Sequence, residues 1–148
     1  MTFVHFVLLS CLPLCVAPHN EFASPVTWSV TTQWQNRYRA NVLITAVIPS
    51  GWRICAQRDE PHAPVKFRFS ADDRFVIIGQ PSLANTSCSF VRAADIFGCY
   101  FGELRFIQQV SVSEPAQTFK GEVSYIVCYG SACYPESREL MISLSQHN

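Results

Sequence analysis

The strongest constraint in this sequence is an alternation of period two that returns in run after run. Val42, Ile44, Ala46 and Ile48 alternate with Leu43, Thr45 and Val47. Leu104, Phe106, Gln108, Val110 and Val112 alternate with Arg105, Ile107, Gln109 and Ser111. Val123, Tyr125 and Val127 oppose Glu122, Ser124 and Ile126, and Leu140, Ile142 and Leu144 form a last set. Successive side chains of a strand point to opposite faces, so each run describes a strand with one face inward. Trp28-Val30-Thr32, Trp52 to Ala56 and the Phe67/Phe69 pair add shorter strands, and Phe75-Val76-Ile77-Ile78 reads as a buried run. No stretch after Pro18 carries a helical period. About eight short strands separated by turn residues predict one all-β domain, an antiparallel β-sandwich.

The least regular stretch is 82–102, which reads as a long loop. It holds Phe90, Phe97, Tyr100 and Phe101, so it is expected to be ordered and packed on something rather than free.

The first 17 residues are apolar, interrupted by Pro13, and shorter than the roughly 20 residues a membrane span needs. They read as a secretory signal, although no Lys or Arg precedes the apolar core. Leu8-Leu9-Ser10-Cys11 is a poor lipid-attachment site because so little apolar chain precedes it. The domain organisation expected is therefore 1–17 signal, 18–25 linker and 26–146 a soluble domain. Lys and Arg together number 11, as do Asp and Glu, which argues against nucleic acid as a partner.

Cysteine usage fits export to an oxidising compartment. Of the 7 Cys, Cys11 and Cys15 fall in the leader, leaving Cys55, Cys88, Cys99, Cys128 and Cys133. An odd number leaves one thiol free or bound to another chain.

The pair most able to carry chemistry is Cys128 and Cys133, in Val127-Cys128-Tyr129-Gly130-Ser131-Ala132-Cys133-Tyr134-Pro135. If the flanking runs pair as a hairpin, the cysteines lie near its turn on neighbouring strands. Directly opposed Cα atoms are then about 4.5–5.5 Å apart, a spacing that a disulfide accepts. So short a ring removes little entropy from the unfolded chain, which makes the bond a weak staple and a plausible redox switch. An ordinary structural disulfide satisfies the same spacing. No Lys, Arg or His lies within the loop to favour a thiolate.

Four pieces in order resemble the N-terminal domain of the thiol:disulfide interchange protein DsbD. They are Ser50-Gly51-Trp52-Arg53-Ile54, then Pro64-Val65-Lys66-Phe67-Arg68-Phe69, then Asp95-Ile96-Phe97-Gly98, and finally Lys120 to Cys128 with Cys133-Tyr134-Pro135. The resemblance as a whole covers roughly Val26 to Leu144. The resemblance implies an immunoglobulin-like sandwich in the bacterial periplasm, acting as a protein-disulfide reductase or interchange component. It implies electron exchange with thioredoxin-fold partners of the disulfide-isomerase or cytochrome c maturation type, and with a membrane thiol reductase. Cys128 and Cys133 would be the catalytic pair, Cys133 joining the partner and Cys128 resolving. Asp95, Phe97 and Tyr100 would form a cap loop over them. The chain carries Cys55, Cys88 and Cys99 beyond that pair, and it does not include the membrane segment and thioredoxin domain of the full-length protein. It is therefore expected to be a stand-alone homologue or one module of a larger reductase.

Cys88 and Cys99 both lie in the aromatic stretch and are expected to staple it as a structural disulfide, with exchange between Cys99 and the active pair as the alternative. Cys55, within an apolar strand, reads as a buried thiol. The His and Cys residues have no metal-ligand spacing, and no phosphate-binding glycine loop or nucleophile elbow is present, so neither metal nor cofactor is expected. The rival to the exchange reading is a non-catalytic exported β-sandwich used for binding, with structural disulfides only.

Overall fold

The computed structural model describes residues 24–56, 64–70, 73–84, 89–93, 96–114 and 118–145, with only the backbone described for 89–93 and 96–97. The described residues form ten strands and no helix. In chain order they are β1 (Thr27–Asn36), β2 (Arg39–Val47), β3 (Trp52–Cys55), β4 (Val65–Phe69), β5 (Phe75–Leu83), β6 (Ser89–Ala93), β7 (Ile96–Phe101), β8 (Glu103–Val112), β9 (Thr118–Tyr129) and β10 (Ala132–Ser143).

Two antiparallel sheets pack face to face as an immunoglobulin-like sandwich. One runs β1-β2-β8-β5 and the other β10-β9-β3-β7-β6. The long β9 has β10 along one side and both β3 and β4 along the other, β4 beside residues 121–125 and β3 beside 126–129. The side chains of Asn36, Gln108 and Tyr125 show how local chemistry holds this arrangement. Asn36 Oδ1 accepts hydrogen bonds from the amides of Tyr38 (2.8 Å) and Arg39 (2.9 Å), closing the β1–β2 turn. Gln108, fully buried on β8, donates to the Ile78 carbonyl at 2.9 Å where the β5 register shifts. That bond anchors a buried side-chain amide at the point where the ladder becomes irregular. The hydroxyls of Ser24 and Tyr125 meet at 2.7 Å across the interior.

The buried side chains are the alternating ones. Val42, Ile44, Ala46 and Ile48 from β2 and its end face Val123, Tyr125 and Val127 from β9, with Leu104, Phe106, Val110 and Val112 from β8 and Ile142 from β10 in the same core. Burial of such side chains contributes about 1.5–3 kcal/mol each. Trp28 packs against Tyr125 with ring centroids 5.3 Å apart, and Phe67 against Phe106 at 5.0 Å.

Two readings of the sequence need correction. The stretch 82–102 is not one long loop. The end of β5, the whole of β6 and β7 lie within it, and they extend the second sheet beyond β3. Its aromatics and Cys99 fill strand positions, and the polar residues around them mask the alternation. The run Phe75 to Ile78 is also not buried throughout, since Val76 is exposed between buried Phe75 and half-buried Ile77. β5 is a sheet edge with one face in solvent. The proposed signal, 1–17, lies outside the described residues.

Candidate redox site

The site grows from the β9–β10 hairpin. Tyr129 and Ala132 are the last cross-strand pair, so Gly130 and Ser131 make a two-residue turn. Gly130 has φ of 58°, the positive value that tight hairpin turns need at their first central residue. This turn fixes the register, and the register sets Cys128 opposite Cys133. Their Cα atoms are 4.1 Å apart and their sulfurs are joined in a disulfide. A slip of one residue would put the two cysteines on opposite faces of the sheet.

The two ends of this bond differ. Cys128 is completely buried (0% exposed), whereas Cys133 is exposed on the edge strand. The bond therefore presents its Cys133 end to solvent and keeps its Cys128 end inside the protein.

Cys55 and Cys99 form a second disulfide, with Cα atoms 4.0 Å apart. They oppose each other across β3 and β7, and the hydrogen bond from the Ala56 amide to the Gly98 carbonyl (2.9 Å) fixes that register. Cys99 therefore pairs with Cys55 and not with Cys88, as the sequence reading had it, and Cys55 is not a buried thiol. The physical reason is topological. β3 and β7 are neighbours only once the stretch 96–101 is recognised as a strand, and Cys55 and Cys99 then face each other. Cys88 lies outside the described residues.

Both disulfides share one face of one sheet. Cys128 lies opposite Arg53 on β3, two residues from Cys55, and so faces the same way as Cys55. Cys55, Cys99 and Cys128 make a buried cluster separate from the main core, with Phe101 and Ile126 packed against it. Four cysteines thus run across four consecutive strands, Cys133 on β10, Cys128 on β9, Cys55 on β3 and Cys99 on β7.

Arg53 is a site residue that the sequence did not reveal. Its Nη2 donates to the Gly130 carbonyl at 2.6 Å, tying β3 to the turn of the hairpin. Arg53 is also Cys128's cross-strand partner, so a basic residue absent between the cysteines in sequence stands beside them across the sheet. Arg138 and Glu136, on β10, alternate with Cys133 onto the other face.

That other face carries aromatics at the hairpin end. The rings of Trp52 and Tyr129 are 5.0 Å apart. Gly51, with φ of 83°, lets the turn lie against Tyr129, because a Cβ there would come within 3.0 Å of the ring. Tyr129 and Tyr134 are both exposed.

The cap residues fare differently from one another. Tyr100 packs against the main core, on the face of β7 opposite Cys99, so it does not cover the Cys128–Cys133 bond. Phe101, one residue on, lies against the buried cysteines instead. Phe97 is in β7, where its backbone alone is described, and Asp95 lies outside the described residues. Among the described residues no three His, Cys, Asp or Glu side chains gather as a metal site would require.

No protein-family model matches the chain, and no curated protein matches it either. Among solved structures, the N-terminal periplasmic domain of ScsB from Proteus mirabilis is similar in fold, with a TM-score of 0.58, 15% identity and 84% of this chain covered. The match covers 48% of that structure, so the chain spans about half its length. The yeast GGA1 GAE domain matches at a TM-score of 0.44 and 12% identity, covering 80% of this chain and 92% of that one. AggA, the major subunit of aggregative adherence fimbriae type I from Escherichia coli, matches at 0.37 and 10%, covering 81% and 94%. The ScsB likeness is one of fold, and it agrees with the all-β sandwich expected from the sequence.

Proposed function

We propose that this chain is an exported thiol–disulfide exchange domain of DsbD type, in which Cys128–Cys133 passes electrons to or from thioredoxin-fold proteins. The observation that carries the reading is the asymmetry of the bond: Cys133 is exposed and Cys128 is fully buried. A structural staple gains nothing from such an arrangement, whereas an exchange centre needs one sulfur open to attack and one protected. The compartment reading rests on the two disulfides, on the periplasmic neighbour and on the leader-like first 17 residues.

The chemistry runs as two displacements. A partner thiolate attacks Cys133 Sγ, the Cys128–Cys133 bond breaks and Cys128 leaves as a thiolate, giving a mixed disulfide through Cys133. The partner's second thiolate then displaces Cys133, leaving the partner oxidised and the domain with two thiols. In the opposite direction Cys133 attacks an oxidised partner and Cys128 resolves the mixed disulfide. Arg53 supports the leaving group with positive charge at the adjacent strand position. Exposed Tyr129 and Tyr134 beside the turn offer the kind of aromatic surface that protein interfaces favour. Phe97 and Asp95 are proposed to shield the pair when no partner is docked.

Two measurements test this. Cys128→Ser should accumulate a mixed disulfide with a thioredoxin-fold partner through Cys133, while Cys133→Ser should accumulate none; trapping that requires Cys128 instead would reverse the roles. The reduction potential of the pair should lie on the order of −200 to −270 mV, as in thioredoxin-like carriers. A value below about −300 mV would mark a structural bond and favour the binding-module alternative.

A further inference from the structure

We propose that Cys55–Cys99 is a second redox pair, reached only through Cys128, so that the two disulfides let the domain hold four electrons rather than two. This rests on the exchange reading of Cys128–Cys133 and extends it inward. Access is the first constraint on the inner pair. Cys55 is 6% exposed and Cys99 4%, so no partner protein can bring a thiolate to either sulfur. Cys128 belongs to the same buried cluster, on the strand next to Cys55.

The strand order then sets the direction of attack. Displacement at sulfur proceeds with the nucleophile opposite the leaving sulfur. In the order β9-β3-β7, Cys128 approaches Cys55 from the side away from Cys99. While Cys128 is bonded to Cys133 it is inert. Attack on Cys133 releases it as a thiolate next to Cys55, on a strand position that also faces Arg53.

Each step balances. Cys128 S⁻ attacks Cys55 Sγ, the Cys55–Cys99 bond breaks, a Cys128–Cys55 bond forms and Cys99 leaves as a thiolate that takes a proton from water. The partner dithiol meanwhile closes its own disulfide and frees Cys133. Cys133 S⁻ then attacks Cys128, re-forming Cys128–Cys133 and leaving Cys55 as a thiolate that is protonated in turn. One partner dithiol has been oxidised and Cys55–Cys99 reduced, with the outer pair ready for a second partner. The same path in reverse delivers electrons from the buried pair to an oxidised partner.

The test treats the folded, full-length chain with graded dithiothreitol, quenches it with isotope-coded alkylating agent and maps each cysteine by mass spectrometry. Circular dichroism on the same samples verifies that the fold persists. In the wild type Cys128 and Cys133 should become alkylated first, followed by Cys55 and Cys99. In Cys128→Ser the opening of Cys55–Cys99 should be slowed about tenfold or more, because its one route is gone. In Cys133→Ser, where Cys128 is a free thiol, a fraction of molecules should carry a Cys128–Cys55 bond. Equal opening rates in wild type and Cys128→Ser would overturn the proposal. So would a wild type whose outer pair is fully reduced while Cys55–Cys99 stays closed, an outcome that leaves the exchange reading of Cys128–Cys133 standing. An outer pair that itself resists dithiothreitol would remove both.

Discussion

The two disulfides sit on the same face of the same sheet and join directly opposed residues, yet they contribute unequally to the fold. Cys128 and Cys133 are 5 residues apart in sequence, whereas Cys55 and Cys99 are 44 apart. In the chain-entropy description a crosslink stabilises by restricting the unfolded state, which gives about 2 kcal/mol for the short loop and about 4 kcal/mol for the long one. The short loop also hangs on a turn that would hold its cysteines together without the bond. The long loop joins β3 to β7, strands that share only a brief ladder, Ile54 with Tyr100 and Cys55 with Cys99. Exposure differs in the same sense, with one sulfur residue of the short loop open and both of the long loop buried. Loop length thus sets what a disulfide contributes to the fold, and exposure sets what can reach it.

The largest expected effect follows from that contrast. Replacing Cys55 and Cys99 with Ala should cost about 4 kcal/mol of unfolding free energy, and replacing Cys128 and Cys133 about 2 kcal/mol. Urea unfolding of the two double variants against wild type reads the difference as extrapolated free energies, with the slope fitted for each variant because opening a crosslink expands the unfolded state. A reversed order would mean that the hairpin bond is the principal staple and would dissolve the division of labour.

Gly130→Ala is next in size. With φ of 58° at Gly130 and open space around it, the cost is conformational rather than steric, about 1–2 kcal/mol. The loss should fall locally on the hairpin. Hydrogen exchange should speed up at amides near 128–133 while those of β2 and β8 stay protected. Uniform loosening would show that the turn supports the whole sandwich rather than the register of one pair.

How much of this was legible in the sequence depends on the range of the signal. The inward-facing sets on β2, β8, β9 and β10 could be read directly, because burial imposes period two along a single strand. The hairpin could be read because its turn and both cysteines lie within a few residues. The β3–β7 pairing could not, since nothing local to Cys55 says which distant strand it will face, and Cys88 was a nearer partner for Cys99 in sequence. β6 and β7 were hidden by a mixture of aromatic, charged and small residues. Arg53 was missed for the same reason as the second disulfide: its neighbour Cys128 is 75 positions away in the chain and one strand away in space. Tyr100 was misplaced by reading proximity in sequence as proximity in space, when parity along β7 turns it into the core.

Arg53 gives the smallest and most discriminating prediction. Its guanidinium bonds the Gly130 carbonyl, and its strand position pairs with Cys128, the residue proposed to leave as a thiolate when the outer bond opens. Because it is partly solvated, its influence on that charge is screened, and a modest factor is expected. Arg53→Gln should slow reduction of Cys128–Cys133 by dithiothreitol about 3–10-fold, with the deficit shrinking as salt is raised. Arg53→Lys keeps the charge but not the planar fork, so it should recover most of the rate if charge is what matters and little if the bond to Gly130 is. If neither variant changes the rate, the leaving thiolate owes nothing to Arg53, and the difference between the two disulfides reduces to loop length and exposure alone.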